Sequence, residues 1–148
     1  MGRKAGSVLI EIDGGARGNP GPAAAGVIIR SADKGRVLFA GAYFLGRATN
    51  NVAEYQGLVL GLTRAADLGA TTVEIRSDSE LLVRQMNGQY RVKNAGLKPL
   101  FERACRLRDG FEQVAIRHVR REDNADADAL ANQAMDLGRD VTGALDGD

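Results

Sequence analysis

The chain has 148 residues, of which 44% are hydrophobic and 26% charged, values that are typical of one soluble globular domain. No apolar run approaches the roughly 18 residues that a membrane span needs, and Glu11 interrupts the apolar run that a signal peptide would need, so we expect a cytoplasmic protein without membrane contact. A single cysteine excludes an intramolecular disulfide, and one cysteine with one histidine argues against a zinc site.

Charge is unevenly distributed along the chain, although the formal net charge is only +1. Residues 84–121 contain ten Lys or Arg and three acidic residues, whereas residues 122–148 contain eight acidic residues and one Arg. A basic segment next to an acidic one is typical of a protein that binds a polyanion and holds cations nearby. A solvated helix face followed by a disordered acidic tail explains the same pattern equally well, so both interpretations stay open at this point.

The first half of the chain predicts three strands followed by a long helix. The strands are segments 7–13, 23–32 and 36–46, which are rich in apolar and β-branched residues, and "DKG" at 33–35 is typical of a hairpin. Apolar residues recur at helical spacing from Val52 to Ala66. We expect Asn51 to cap this helix, with Glu54 three residues later, and Gly69 to end it.

The second half predicts a strand at 71–77, a short helix ended by Gly88, and a helix at 97–109 with Pro99 in its first turn. A strand at 113–119 and a last helix follow; Asp123 or Asn124 would open that helix and Gly138 would close it. This order predicts one α/β domain with a mixed five-stranded sheet flanked by helices. Residues 1–6 are then a short N-terminal extension, residues 7–137 the domain, and residues 138–148 a flexible acidic tail.

Four acidic residues lie at the ends of predicted elements: Asp13 at the end of the first strand, Glu54 in the first turn of the long helix, Asp78 at the end of the fourth strand and Asp128 in the first turns of the last helix. Each has a structural explanation alone, because acids favour first helical turns and strand ends. Together they would meet at one edge of an α/β sheet and repel one another unless cations held them. Oxygen ligands suit Mg²⁺ or Mn²⁺, and two such ions about 3.5–4 Å apart clamp the attacking and leaving oxygens of a phosphodiester.

The sequence around these acids resembles a known family. "IDGGARGNPGPAAAG", "TNNVAEYQGL", "IRSDSELL" and "DNADADALAN" occur in this order and on these elements. They look like the signature blocks of the type 1 ribonuclease H family, with its ribonuclease H-like fold. One block alone would be a weak signal, but four in order, covering about residues 7–137, are highly specific. The resemblance therefore implies that residues 7–137 are a ribonuclease H catalytic domain.

The resemblance implies an activity and a ligand set. In that family an Asp, Glu, Asp, Asp set binds two Mg²⁺ ions, for which Mn²⁺ is a possible substitute, and hydrolyses the RNA strand of an RNA–DNA hybrid. Matched position by position, the set is Asp13, Glu54, Asp78 and Asp128, with Asp13 bridging both ions. The implied protein is an endoribonuclease that leaves 5′-phosphate and 3′-hydroxyl ends. We expect a monomer without an organic cofactor, whose partner is the hybrid.

The same resemblance assigns substrate contacts. Asn19, Asn50 and Asn51 match positions that touch the hybrid in its minor groove, and Ser79 matches a position near the substrate. Amides suit the role because they both donate and accept hydrogen bonds, and an A-form-like minor groove displays 2′-hydroxyls. Asn51 and Ser79 also have a structural alternative as helix caps. The glycines after Asp13 would let a nucleic-acid backbone come close, because glycine has no side chain.

The sequence departs from the family pattern before the last aspartate, where many members carry a histidine in a mobile loop. The only histidine here, His118, lies at the end of a predicted strand, and we expect it to be structural. Arg120 or Arg121 would bind the leaving phosphate instead, although an arginine cannot act as a general acid at neutral pH.

Other functions stay open from the sequence. The main alternative is a catalytically silent domain of the same fold that only binds hybrid; another is a nuclease that acts on branched DNA or DNA ends. A small-molecule enzyme has little support, because "GGARGNPG" is not the G-x-G-x-x-G phosphate loop.

Overall fold

The computed structural model describes residues 6–33 and 35–142, which form a mixed sheet with helices on both faces. The strands are β1 (Gly6–Ala16), β2 (Gly21–Ser31), β3 (Val37–Ala48), β4 (Ala70–Ser77), β5 (Gln113–His118) and β6 (Val141–Thr142). The helices are α1 (Asn50–Asp67), α2 (Glu80–Met86), α3 (Lys98–Arg108) and α4 (Ala125–Leu137), and a single 3₁₀ turn, Arg121–Asn124, precedes α4.

The strand order is β5-β4-β1-β2-β3-β6, which places β1 near the middle of the sheet. β1, β2 and β3 form the predicted antiparallel meander, whereas β4 and β5 run parallel to β1. The parallel pairs follow from the helical crossovers, because a parallel connection needs a long return path. The predicted α/β class and mixed sheet are therefore confirmed.

The sheet has six strands, so the predicted number of five is wrong. The extra strand is β6, whose two residues pair with Gly41 and Ala42 of β3. Asp140 adds to this contact, because its Oδ1 accepts a hydrogen bond from the backbone N–H of Phe44 at 2.8 Å. A two-residue strand is too short to show alternation in the sequence. It lies inside the predicted tail 138–148, of which residues 143–148, like residues 1–5 of the N-terminal extension and residue 34 of the hairpin, lie outside the described residues.

Apolar side chains cover both faces of the central strands. The larger cluster joins Ile10 and Ile12 of β1 to Leu58 and Leu62 of α1, and α2 and α3 extend it. The smaller cluster lies on the opposite face, between β2, β3 and α4. β2 is buried on both faces, which explains why its sequence is a continuous apolar run rather than an alternating one.

Helix ends agree with the sequence except at the start of α1. Gly69 and Gly138 follow α1 and α4 with φ of 77° and 65°, the left-handed conformation that favours glycine. The cap of α1 is Thr49, whose side-chain oxygen accepts from the N–H of Val52 at 3.2 Å. The prediction of Asn51 as the cap is therefore wrong, because the helix begins two residues earlier than predicted, at Asn50.

Candidate active site

Asp13 and Asp78 lie side by side because of the parallel pairing of β1 with β4. The last pair of that ladder is Ile12 with Ser77, and each aspartate is the next residue in its strand direction. Asp13 is only 7% exposed. Asp78 is held in a tight turn, in which the N–H of Ser79 donates to Ser77 Oγ at 3.0 Å. The prediction that the two carboxylates meet at one sheet edge agrees with this geometry.

Glu54 is brought to Asp13 by a close backbone contact. A β-carbon on Gly14 would lie 2.3 Å from the carbonyl carbon of Ala53 and 2.4 Å from the N of Glu54. Only glycine permits that approach, so α1 crosses β1 directly beside the aspartate. The expectation that this glycine leaves room for nucleic acid is therefore wrong for Gly14. It fits Gly15, where the nearest atom to an added β-carbon is Asn50 Oδ1 at 3.9 Å.

Asp128 reaches the site from the other face of the sheet, on α4. A β-carbon on Gly26 would lie 2.3 Å from the carbonyl oxygen of Ala127, so α4 lies directly on β2 one residue before Asp128. Gly26 is opposite Asp13 in the β1–β2 pairing, which sets α4 at the level of that aspartate. An ion pair between Arg30 and Asp126, at 2.8 Å, holds the same helical turn.

The structure brings the four predicted acids together. One carboxylate oxygen from each of Asp13, Glu54 and Asp78 lies within 4.8 Å of the other two. Asp128 lies outside this group of three, but its carboxyl is one of the causes of the raised pKa of Asp13. Burial, together with the neighbouring carboxyls of Asp78 and Asp128, raises the pKa of Asp13 from 3.8 to about 8.

The pKa of Glu54 is raised in the same way. Burial, the largest cause, and the charges of Asp13 and Asp78 together raise its pKa to about 9, although the hydrogen bond from the backbone N–H of Gly14 acts in the opposite direction. Its Oε1 is shielded from solvent and has no hydrogen-bond partner among residues 6–33 and 35–142. A buried carboxylate oxygen without a donor is costly, which indicates that a positively charged group belongs beside it.

The donor set fits hard divalent cations. All four groups are carboxylates, which suit Mg²⁺ or Mn²⁺, and no cysteine or histidine lies in the three-carboxylate group. Within the described part of the chain, the one basic side chain paired with any of the four is Arg121, at 3.8 Å from Asp128. That pair is exposed on the arginine side, so it leaves most of the negative charge uncompensated.

The side chains of Asn19 and Asn50 connect the β1–β2 hairpin to the start of α1 through two hydrogen bonds. Asn19 Oδ1 accepts from the N–H of Asn50 at 2.9 Å, and Asn50 Oδ1 accepts from the N–H of Ala16 at 2.8 Å. Both side-chain oxygens are therefore engaged within the protein. The expectation that these amides contact the substrate stays a prediction.

The other two predicted substrate residues differ from this pair. Asn51 is exposed on the first turn of α1, and it is not the cap of that helix. Ser79 caps α2, because its Oγ accepts from the N–H of Leu82 at 3.2 Å. Ser79 is thus a helix cap, as the structural alternative predicted. Its contact with the substrate stays a prediction.

A cleft of about 640 Å³ opens over the four carboxylates. Its walls include Arg17, Asn50, His118, Arg120, Arg121, Asn132 and Met135. His118 is the last residue of β5 and has an exposed side chain at this wall, opposite Ser77 in the pairing. The expected structural role of His118 is not supported by burial of its side chain. The roles of Arg120 and Arg121 stay predictions.

Two features of the site were not found from the sequence. Arg17 connects the hairpin to α4, because its guanidinium pairs with Asp136 at 2.5 Å and donates to the side-chain oxygen of Asn132 at 3.4 Å. Asn124, 2% exposed, donates through Nδ2 to the backbone oxygen of Ile12 at 2.8 Å. Both contacts join residues about 112–119 positions apart, and nothing in the local pattern indicates such contacts.

Comparison with known proteins places this geometry in a family. A family model described as "Reverse transcriptase-like" matches residues 11–134. The "Bifunctional protein Rv2228c" of Mycobacterium tuberculosis is 48% identical over 129 residues, which are 87% of this chain and 35% of that protein. "Ribonuclease HI" of Halobacterium salinarum is 44% identical over 133 residues, which are 90% of this chain and 66% of that protein.

Solved structures agree. The crystal structure of RNase H1 from the halophilic archaeon Halobacterium salinarum NRC-1 is similar at 44% identity with a TM-score of 0.85, over 88% of this chain and 98% of that one. LC11-RNase H1, solved in complex with an RNA/DNA hybrid, is similar at 42% identity with a TM-score of 0.83, also over 88% and 98%. The chain spans only about a third of the length of the mycobacterial relative. The family model over residues 11–134 and the similarity to these ribonucleases H in sequence and fold show that the chain belongs to the type 1 ribonuclease H family.

Proposed function

We propose that this protein is an endoribonuclease that hydrolyses the RNA strand of RNA–DNA hybrids with the help of two divalent cations. The observation that carries the proposal is the group of three carboxylates within 4.8 Å, with Asp128 beside it, at the floor of an open cleft. Membership of the ribonuclease H family supports the substrate class. The family match includes LC11-RNase H1, whose structure was solved with an RNA/DNA hybrid.

Asp13, Glu54, Asp78 and Asp128 would hold the cations. When bound, two Mg²⁺ or Mn²⁺ ions would activate the attacking water and stabilise the leaving 3′ oxygen, so that the products carry 5′-phosphate and 3′-hydroxyl ends. Asp13 has the central place, because its carboxyl is affected by both Asp78 and Asp128. In the ion-free protein, mutual repulsion and burial favour the protonated forms of Asp13 and Glu54, so metal binding releases protons from the site.

Substrate orientation would come from amide donors at the cleft edge. Asn19 and Asn50 engage their Oδ1 atoms internally and have Nδ2 groups left to donate. They would bind acceptor atoms of the hybrid, such as the base and sugar oxygens of the minor groove. Asn51 and Ser79 stay candidates for further contacts, and Arg120 or Arg121 would bind the leaving phosphate at the cleft wall.

Hybrid cleavage with an end-labelled substrate tests the proposal. The assay compares Mg²⁺, Mn²⁺ and EDTA, with single-stranded RNA, RNA duplex and DNA duplex as alternative substrates. Asp13→Asn removes the central ligand, and Asp67→Asn, an exposed acid at the far end of α1, is the matched control. We expect metal-dependent cleavage of the RNA strand of the hybrid alone, lost in Asp13→Asn and kept in Asp67→Asn.

Two other outcomes would contradict the proposal. Hybrid binding without cleavage in either metal would favour a catalytically silent hybrid-binding domain. Cleavage of branched or duplex DNA in preference to hybrid would favour a different nuclease with the same kind of site. A cytoplasmic location and a monomeric state stay predictions.

A further inference from the structure

Asn124 connects the backbone segments that carry two of the four carboxylates. Its side chain is 2% exposed, and its Nδ2 donates to the backbone oxygen of Ile12 at 2.8 Å. Ile12 immediately precedes Asp13, and Asp128 lies four residues, about one helical turn, after Asn124. One hydrogen bond therefore joins the end of the β1–β4 ladder to the start of α4.

This hydrogen bond is not an ordinary helix cap. Asn124 occupies the N-cap position of α4, where an asparagine side chain usually accepts a hydrogen bond from the first helical turn, but it makes no such bond. Its Oδ1 is buried and has no hydrogen-bond partner among the described residues. Burying an unpaired amide oxygen costs free energy. If the residue at this position only had to fill space, an apolar side chain would do so equally well.

Two other contacts of the first turn of α4 are with a different strand, β2. Ala127 lies against Gly26, and Asp126 pairs with Arg30, and both partners belong to β2. Asn124 instead binds β1, where the parallel pairing with β4 ends at Ile12 and Ser77. Its hydrogen bond therefore restrains α4 along the strand of Asp13.

We propose that Asn124 is a positioning residue, whose amide holds Asp128 at the distance from Asp13 at which the two carboxylates bind the same cations. The proposal rests on the metal site of the proposed function. Loss of a hydrogen-bonding partner behind metal ligands lowers metal affinity by about 10- to 100-fold in other proteins. Asn124 acts through Ile12 and the α4 backbone, so it needs no contact with metal or substrate.

The test measures Mn²⁺ binding to the substrate-free protein by isothermal titration calorimetry. The variants are Asn124→Ala and Asn124→Leu. Leucine fills the volume of the amide and removes the unpaired oxygen, so Asn124→Leu still tests the loss of the hydrogen bond if the alanine variant does not fold. Asn87→Ala is the matched control, because Asn87 Nδ2 also donates to a strand carbonyl, that of Ile116 at 3.1 Å, away from the cleft. Thermal unfolding without metal measures the general loss of stability in each variant.

We expect both Asn124 variants to bind Mn²⁺ about 10- to 100-fold more weakly than the wild type, and Asn87→Ala to bind as the wild type does. In hybrid cleavage, the Asn124 variants should need more Mn²⁺ for half-maximal rate, with an unchanged KM for hybrid. Mn²⁺ affinity within twofold of the wild type in both Asn124 variants, or an equal loss in Asn87→Ala, would overturn the proposal. Wild-type protein that binds no Mn²⁺ would overturn the proposed metal site itself, and this inference with it.

Discussion

Gly14 of β1 and Ala53 of α1 are in backbone contact so close that a β-carbon on Gly14 would lie 2.3 Å from the Ala53 carbonyl carbon. The contact sets the distance between Asp13, one residue before Gly14, and Glu54, one residue after Ala53. Two carboxylates on different elements thereby become neighbours. Much of the site follows from this crossing of a helix over a strand.

Gly14→Ala is expected to move the start of α1 away from β1 and to separate Glu54 from Asp13. A displacement of about 1 Å at a catalytic group costs on the order of 100-fold in rate, and overpacking of this kind costs about 1–3 kcal/mol of stability. Hybrid cleavage and thermal unfolding measure the two effects. Gly15→Ala is the control for thermal unfolding and Mn²⁺ affinity, which do not depend on the approach of nucleic acid, because its added β-carbon meets only Asn50 Oδ1 at 3.9 Å. Equal stability and Mn²⁺ affinity in the two variants would contradict this account of the crossing.

Asp13→Asn is expected to stabilise the protein in EDTA at pH 8 while abolishing activity. Burial and the neighbouring carboxyls raise the pKa of Asp13 from 3.8 to about 8, so folding favours the protonated acid. The resulting stability is fully present below about pH 4 and is lost as pH rises through about 8. Replacement by a neutral amide removes that loss, so the variant should unfold at a Tm several degrees above that of the wild type at pH 8.

Thermal unfolding between pH 4 and pH 9 checks this sign. The wild type should lose more Tm over this range than Asp13→Asn, and Mn²⁺ should raise the Tm of the wild type more than that of the variant. Asp67→Asn removes an exposed acid and should follow the wild-type curve. A variant that is less stable than the wild type in EDTA at pH 8 would show that burial and the neighbouring carboxyls do not destabilise the ionised form of Asp13.

Tyr55→Phe is expected to destabilise the protein by about 1–3 kcal/mol, because it leaves a buried acceptor without its donor. Tyr55 Oη donates to Gln85 Oε1 at 2.6 Å, and both side chains are at most 5% exposed. The bond joins α1 to α2. Chemical denaturation measures the change, and Tyr43→Phe, whose exposed hydroxyl accepts from Arg64 at 3.2 Å, should cost much less. A similar cost in the two variants would contradict the role of burial.

Asn50→Asp is expected to weaken substrate binding while it keeps the hydrogen bond between residue 50 and the N–H of Ala16. Aspartate keeps an oxygen for the N–H of Ala16, so the Tm should change little, but it removes the Nδ2 donor and adds a negative charge near the hybrid. The KM for hybrid should rise about tenfold or more, since a lost hydrogen bond and charge repulsion each weaken binding. Asn50→Ala loses both functions and should lower Tm as well. If Asn50→Asp kept the wild-type KM, the Nδ2 group would have no part in substrate binding.

The sequence by itself determined the elements with strong periodicity and the identity of the four acids. α1 shows its apolar spacing over 18 residues, and Gly69 and Gly138 mark helix ends by their left-handed backbone. These are local signals, because they depend on backbone conformation and on side chains within a few residues. The structure differs at Asp13, which was predicted to end the first strand but lies inside β1, because that strand continues to Ala16. The signature blocks added the family, which the comparisons confirm.

Only the tertiary structure decided how the elements meet. β6 exists because β3 offers an edge to a segment about 100 residues later, and Asn124 binds Ile12 across 112 residues. Asn19 and Asn50 each accept a hydrogen bond from the other's segment of the chain, which gives both side chains a structural role that the sequence did not indicate. Such contacts depend on distances between segments remote in the chain, and no local pattern of residues records them. The raised pKa of Asp13 has the same origin, since burial and neighbours from β4 and α4 create it.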